Sequence, residues 1–286
     1  MIQKLFPLIL FIIILFNSSC SRYYYSPDDG HLLTLSEKKD FHFSASANSL
    51  RFRDTANHFN FQLGYSPIKH LAIQGSFFYL KDGEDNPIIT GEGHMYSGAI
   101  GTYKFFEPFA DSFLKKLARR KGSKKKPLSP PVFFQENYSK KGTIVDLYLG
   151  HARGLSRIDY DSRGRSFTRF QKTFGQIGLH LNNSLGGFSY TFKVGQLRFN
   201  EATSSGIVNL DDLNKLRSLE DNNTFPFREH SFRFFTGVRQ LKVFFNLTLL
   251  YDSRRLSTLG VDNNNFTIGI LVDIDECFKK TKSSLD

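Results

Sequence analysis

The residues with most to offer chemically are eight histidines and the hydroxyls and carboxylates near them. His94 with Ser97, and His151 with Ser156 and Asp159, bring a potential general base near a potential nucleophile. A spacing of three along a strand puts His94 and Ser97 on opposite faces, and the second set runs from a strand into a loop. These histidines are therefore read as structural or hydrating. Metal chemistry has no better footing, because there is no His-x-His, no Cys-x-x-Cys and no helical Glu/His pairing. Glycine-rich nucleotide motifs are absent too, and Arg163, Gly164 and Arg165 read as an exposed turn. No cofactor and no metal are expected.

The elements that must position any site are strands. Phe266, Ile268, Ile270, Val272 and Ile274 alternate with Thr267, Gly269, Leu271 and Asp273. Phe59, Phe61, Leu63 and Tyr65 oppose Asn60, Gln62, Gly64 and Ser66, and Phe188, Tyr190, Phe192 and Val194 oppose Ser189, Thr191, Lys193 and Gly195. A period of two gives each strand one apolar and one polar face. Ten candidates follow, at about 41–52, 58–66, 70–80, 93–106, 142–153, 168–182, 186–199, 229–239, 241–251 and 264–274. Each is near the ~9 to 11 residues of a tilted membrane-crossing strand. The predicted fold is all-β, an antiparallel up-and-down transmembrane β-barrel of about ten strands, with eight or twelve also compatible. It would be apolar outside and wet inside.

A soluble barrel or sandwich gives the same alternation with its core inside. Three features favour the membrane: a secretion-type leader, aromatic residues along whole apolar rows, and connections that are short on one side and long on the other. Ser66–Lys69, Asn182–Gly186 and Arg239–Leu241 are tight, whereas 81–92, 154–167, 200–228 and 252–263 are longer and polar. By parity the short turns share a side with the chain ends, the expected periplasmic side of a Gram-negative outer membrane. The long segments are expected as extracellular loops. Trp is absent, and Tyr25, Tyr65, Tyr79, Tyr103, Tyr148 and Tyr251 are candidates for the interfacial girdle it usually supplies. In this register Asp146, Lys193, Arg233, Lys242 and Asp273 point into the lumen, where charges are expected to be paired or hydrated.

Residues 1–19 read as a signal peptide, with Lys4 before the apolar run Leu5–Phe16 and small residues before Cys20. Residues 20–40 read as a tether from membrane surface to barrel, 41–274 as the barrel and 275–286 as a polar tail. The insertion 106–141 carries Lys115, Lys116, Arg119, Arg120, Lys121, Lys124, Lys125 and Lys126 with no acidic residue between them. Removing those eight from the formal charge of +11 leaves +3, so the basic character is local. Phe109, Phe113, Leu114 and Leu117 recur at spacings of three and four, which predicts a short amphipathic helix over 107–121. Its basic flanks suit lipid headgroups or an acidic envelope partner. A solvated loop ending in Pro127, Pro130 and Pro131 is the competing reading. Export removes nucleic acid from consideration.

The pair Ser18–Ser19 before Cys20 resembles the lipobox of bacterial lipoproteins, with Asn17 in place of the usual aliphatic residue. That resemblance implies lipidation of Cys20. A disulfide from Cys20 to Cys277 stays open beside it. With its Phe-, Lys- and Asn-rich strands the chain resembles small outer-membrane barrel proteins of the Bacteroidota, a loose resemblance that carries over no functional residue. It lacks the motif of outer-membrane lipid A deacylases and the paired acidic motif of omptin-like proteases. The expected function is a structural or accessory subunit of an envelope complex. A lipid-modifying enzyme or protease with a rim site, and a narrow pore, are the alternatives.

Overall fold

The computed structural model describes residues 28, 35, 37–47, 57–82, 89–107, 142–160, 164–183, 186–206, 210–238, 240–251 and 264–274. Ten antiparallel strands close into a barrel: β1 (Phe41–Ala47), β2 (Asn57–Tyr65), β3 (Leu71–Asp82), β4 (Ile89–Phe106), β5 (Gly142–Tyr160), β6 (Gly164–Asn182), β7 (Gly186–Gly206), β8 (Thr224–Gly237), β9 (Leu241–Tyr251) and β10 (Asn264–Asp273). Each strand pairs with its neighbours in sequence, and β1 closes the ring on β10 with His42 opposite Asp273. The ring is closed through its lower part, whereas the end of β7 beyond Arg198 is paired with β6 and not with β8. Helix α1 (Leu210–Asp221) lies between β7 and β8. Cys20, Cys277, the tail 275–286 and residues 108–141, including Phe109, Phe113, Lys115, Lys116, Arg119, Arg120, Lys121, Lys124, Lys125 and Lys126, lie outside the described residues.

The end carrying the start of β1 and the end of β10 is called the lower end. Its turns are tight. At the β2–β3 turn His70 takes a φ of 70°, unusual for a residue with a Cβ, while its Nδ1 bonds the Tyr103 carbonyl at 2.9 Å. At the β6–β7 turn the Asn183 amide donates to the Gly186 carbonyl at 2.7 Å.

Along the lower half the barrel is inside out. The outward row holds Phe59, Phe61, Leu63, Ile73, Ile100, Leu147, Leu149, Ile177, Leu179, Leu181, Val194, Phe234, Val243, Phe245 and Ile270, all exposed. The inward row there is mostly polar: His42, Ser44, Gln62, Gln74, Asp146, His180, Ser189, Ser231, Asn246 and Thr267 are all buried, beside the hydrophobic Ile144, Tyr148, Phe235, Phe244 and Leu271. Higher up, the pattern inverts. On β5 the outward row passes from Val145, Leu147 and Leu149 to His151, Arg153, Arg157 and Asp159, while Ile158 and Tyr160 face in. On β6 it passes from Leu181, Leu179 and Ile177 to Thr173, Gln171, Arg169, Phe167 and Arg165, while Phe170 and Phe174 face in beside Ser166 and Thr168. These strands, 19 residues each, and the 21-residue β7 rise well past the 7 to 11 residues of β1, β2, β9 and β10. The upper storey is thus built like a soluble protein, with an apolar interior of Leu197, Phe199, Phe225 and Phe227. Leu216 and Leu219 of α1, three apart on one helix face, join that cluster.

Several expectations need correction here. Residues 154–160 and 164–167 are not an extracellular loop, because the β5–β6 ladder continues to Tyr160 opposite Gly164. Most of 200–228 is likewise regular, forming the end of β7, α1 and the start of β8, and the upper limit of 81–92 falls inside β4. Their outward faces are charged because they stand above the apolar belt, so they read as loop. Tyr103 and Tyr148 are not girdle residues. Both point inward and are buried. Within 20–40, the described Asp28, Leu35 and Asp40 are buried and the Tyr103 hydroxyl donates to the Glu37 carbonyl at 2.8 Å, while Lys38 and Lys39 are exposed.

Candidate functional site

Two polar clusters occupy the lumen. The lower one joins β5, β6 and β7. His180 Nε2 lies 2.7 Å from Asp146 Oδ2, and its Nδ1 lies 2.9 Å from Ser189 Oγ. A carboxylate only accepts, so Nε2 donates to Asp146 and, in the neutral ring, Nδ1 accepts the Ser189 hydroxyl. Gly178 makes room for this pair, because a Cβ there would meet Asp146 Oδ1 and His180 Nε2. Serine, histidine and aspartate in one hydrogen-bonded chain are the parts of an acyl-transfer triad. Nucleophilic chemistry also needs an open path to the hydroxyl, yet Ser189 and His180 are each 0% exposed. The chain therefore acts as a clamp between three strands rather than a catalytic centre. Replacing Gly178 by Val is expected to separate Asp146 from His180 and cost about 3 kcal/mol, read as an earlier urea midpoint in lipid vesicles. An unchanged midpoint would show that the clamp has slack.

The middle cluster is more highly charged. Lys172 on β6, Lys193 on β7, Glu229 on β8 and Asp28 from the segment before β1 are each 0–1% exposed. Lys172 Nζ is 2.8 Å from Asp28 Oδ1 and 2.8 Å from Glu229 Oε1. Lys193 Nζ is 3.0 Å from Asp28 Oδ1 and 3.2 Å from Glu229 Oε2. Among the described residues, two cations and two anions thus balance in a space where an isolated charge costs several kcal/mol. Aromatic faces complete the cage: Lys172 lies 4.7 Å from the Phe227 centroid and Lys193 4.8 Å from that of Phe174. The Phe174 ring lies over Gly150, its register partner on β5, where a Cβ would collide with it.

The lumen charges expected from the sequence are placed separately. Asp146 belongs to the lower clamp and Lys193 to the middle cluster. Arg233 stacks over Phe244 at 3.9 Å, and Lys242 sits 5.1 Å from the Phe235 centroid. Asp273 pairs with His42 at 3.3 Å where β1 meets β10. Sequence reasoning missed Lys172, His180, Glu229 and Asp28. A signal for two of them was present, because Lys172, Gln176 and His180 share one face of β6 at spacings of four. Asp28 gave none beyond a turn-like Asp-Asp-Gly.

The histidine sets weighed for catalysis do not assemble. Ser97 faces inward and bonds Ser76 at 2.6 Å, while His94 faces out against Tyr96. His151 bonds Thr173 on the outer surface, Ser156 is buried inside, and Asp159 pairs with Arg157 and Arg165. Among the described residues no group of three His, Cys, Asp or Glu side chains is placed to hold a metal ion.

No protein-family model matches the chain, and no curated protein matches its sequence. Among solved structures it is similar to LpxR from Salmonella typhimurium, at 7% identity and a TM-score of 0.34, over 82% of this chain and 99% of that one. The ten-stranded architecture rests on the strand pairing itself.

Proposed function

We propose that the chain is an outer-membrane β-barrel of a Gram-negative cell, with a sealed lumen, serving as a structural or accessory subunit of an envelope complex. The observation that carries this reading is the inverted lower half. Its exposed apolar rows continue around the ring, and its interior, mostly polar apart from residues such as Ile144, Tyr148 and Phe244, is already filled, so the outer side chains have no protein core to enter. A soluble protein rarely leaves so large an apolar surface in water, whereas a transmembrane barrel requires an outward apolar band ~25 Å tall. The tight turns share the lower rim with the start of β1 and the end of β10, which fits the periplasmic side, and the charged upper storey then stands outside the cell. The four-charge cluster and the phenylalanines above it support a closed lumen over a pore. β4 ends and β5 begins at the lower rim, so the insertion 106–141 joins the barrel there, and its basic residues suit anionic headgroups or an acidic envelope protein. Lipidation of Cys20 would add a second anchor.

Affinity purification from native membranes tests the reading. The expected result is a detergent-requiring barrel that brings down a reproducible envelope partner, lost on deletion of residues 109–131, and shows no stepwise conductance in planar bilayers. A monomer stable in water without detergent would overturn the membrane placement. Recovery of the partner by the deleted chain would overturn the role given to the insertion.

A further inference from the structure

The middle cluster divides unequally between wall and insert. Lys193 and Glu229 face each other directly across β7 and β8, and Lys172 reaches them diagonally from β6. These three belong to the barrel wall and carry a net charge of +1 when ionised. Among the described members of the cluster, Asp28 comes from outside the wall, 144 residues from Lys172 and 165 from Lys193. Both ammonium groups converge on one of its oxygens, at 2.8 and 3.0 Å. A fixed pair of cations, half neutralised by Glu229 and walled by Phe174 and Phe227, is a cradle for one monoanion with a small planar acceptor group.

We propose that Lys172, Lys193 and Glu229 form a lumenal binding site for a single carboxylate, and that Asp28 is its tethered ligand. The ligand class is a small monocarboxylate, which enters when the tethered one is truncated. Tethering explains why the site is filled in the intact chain: a linked ligand acts at an effective concentration in the millimolar range or above, against which a free weak carboxylate competes poorly. The same contact holds Asp28 inside the lumen by charge, and Leu35, which also precedes β1, is buried as well. A dianion such as sulfate or phosphate would leave excess negative charge in a dry cage and is rejected.

The probe is formate, added to the full-length Asp28→Ala variant in detergent. The expected result is a lowered unfolding midpoint that formate raises saturably, by on the order of 5 °C, while chloride and sulfate at equal ionic strength do not. Adding Lys193→Met to Asp28→Ala should abolish the response to formate. Equal effects of formate and chloride, or none of either, would overturn the proposal. If Asp28→Ala fails to fold in chloride, refolding yield becomes the readout. A yield restored by formate supports the site, and a yield indifferent to it overturns the proposal. None of these outcomes depends on the membrane or on a partner, so this site and the proposed function fail independently.

Discussion

Replacing Lys193 by Met is expected to destabilise the barrel by about 3–5 kcal/mol, read as a fall in the urea midpoint for refolding into vesicles. Methionine keeps the length and the contact with the Phe174 ring, so the change tests charge rather than volume. It leaves Asp28 and Glu229 sharing Lys172, with one anion uncompensated in a site from which water is excluded. Removing the matching charge should repair most of the damage: the double variant Lys193→Met, Asp28→Asn returns the cluster to one cation and one anion. The coupling energy from the cycle is then large and favourable. If the single variant were as stable as the parent, the cluster would be hydrated or neutral and the lumen would not be sealed at this level. If the double variant were worse than the single one, Asp28 would contribute through its path in the lumen rather than through its charge.

The ring of strands could be read from alternation because β1, β2, β9 and β10 keep one polarity throughout their length. Their outward rows are mostly apolar and their inward rows mostly polar, with Phe244, Leu250 and Leu271 as inward exceptions, as in the Phe266–Val272 row against Asn265–Asp273. The tall strands could not be read past mid-height. On β5 the apolar face changes sides between Leu149 and Ile158, and the crossover passes through Gly150 and Gly154, which carry no polarity signal. A period of two with a reversal of phase looks like the end of a strand, which is why 154–167 resembles a loop. The inward charges were visible wherever the register was, as with Asp146, Lys193, Arg233, Lys242 and Asp273. Their partners were not, because pairing across β6, β7 and β8 depends on register between strands. Asp28 was beyond reach for a further reason: no local pattern indicates that a segment outside the strands turns into the lumen.

The reversal on β6 supplies the sharpest test of where lipid begins and ends. Leu179 and Gln171 lie on the same outward face, eight residues apart, Leu179 among Ile177 and Leu181 and Gln171 beside Arg169 and Thr173. Placing Arg at 179 is expected to cost about 2–4 kcal/mol in a bilayer, since a guanidinium there must leave water for hydrocarbon. Placing Arg at 171 is expected to cost less than about 1 kcal/mol, the like-charge repulsion of exposed cross-strand neighbours, because Arg153 on β5 and Arg198 on β7, its partners in register, show that cations are solvated at that height. Neither substitution touches the lumen, so a difference between them measures the medium outside the wall. A soluble barrel predicts that Leu179→Arg is harmless or even stabilising, as charge replaces an exposed apolar residue in water. Equal losses at both positions would instead place the whole height of β6 in lipid. The upper storey, with its outward charges and inward phenylalanines, would then have no physical basis.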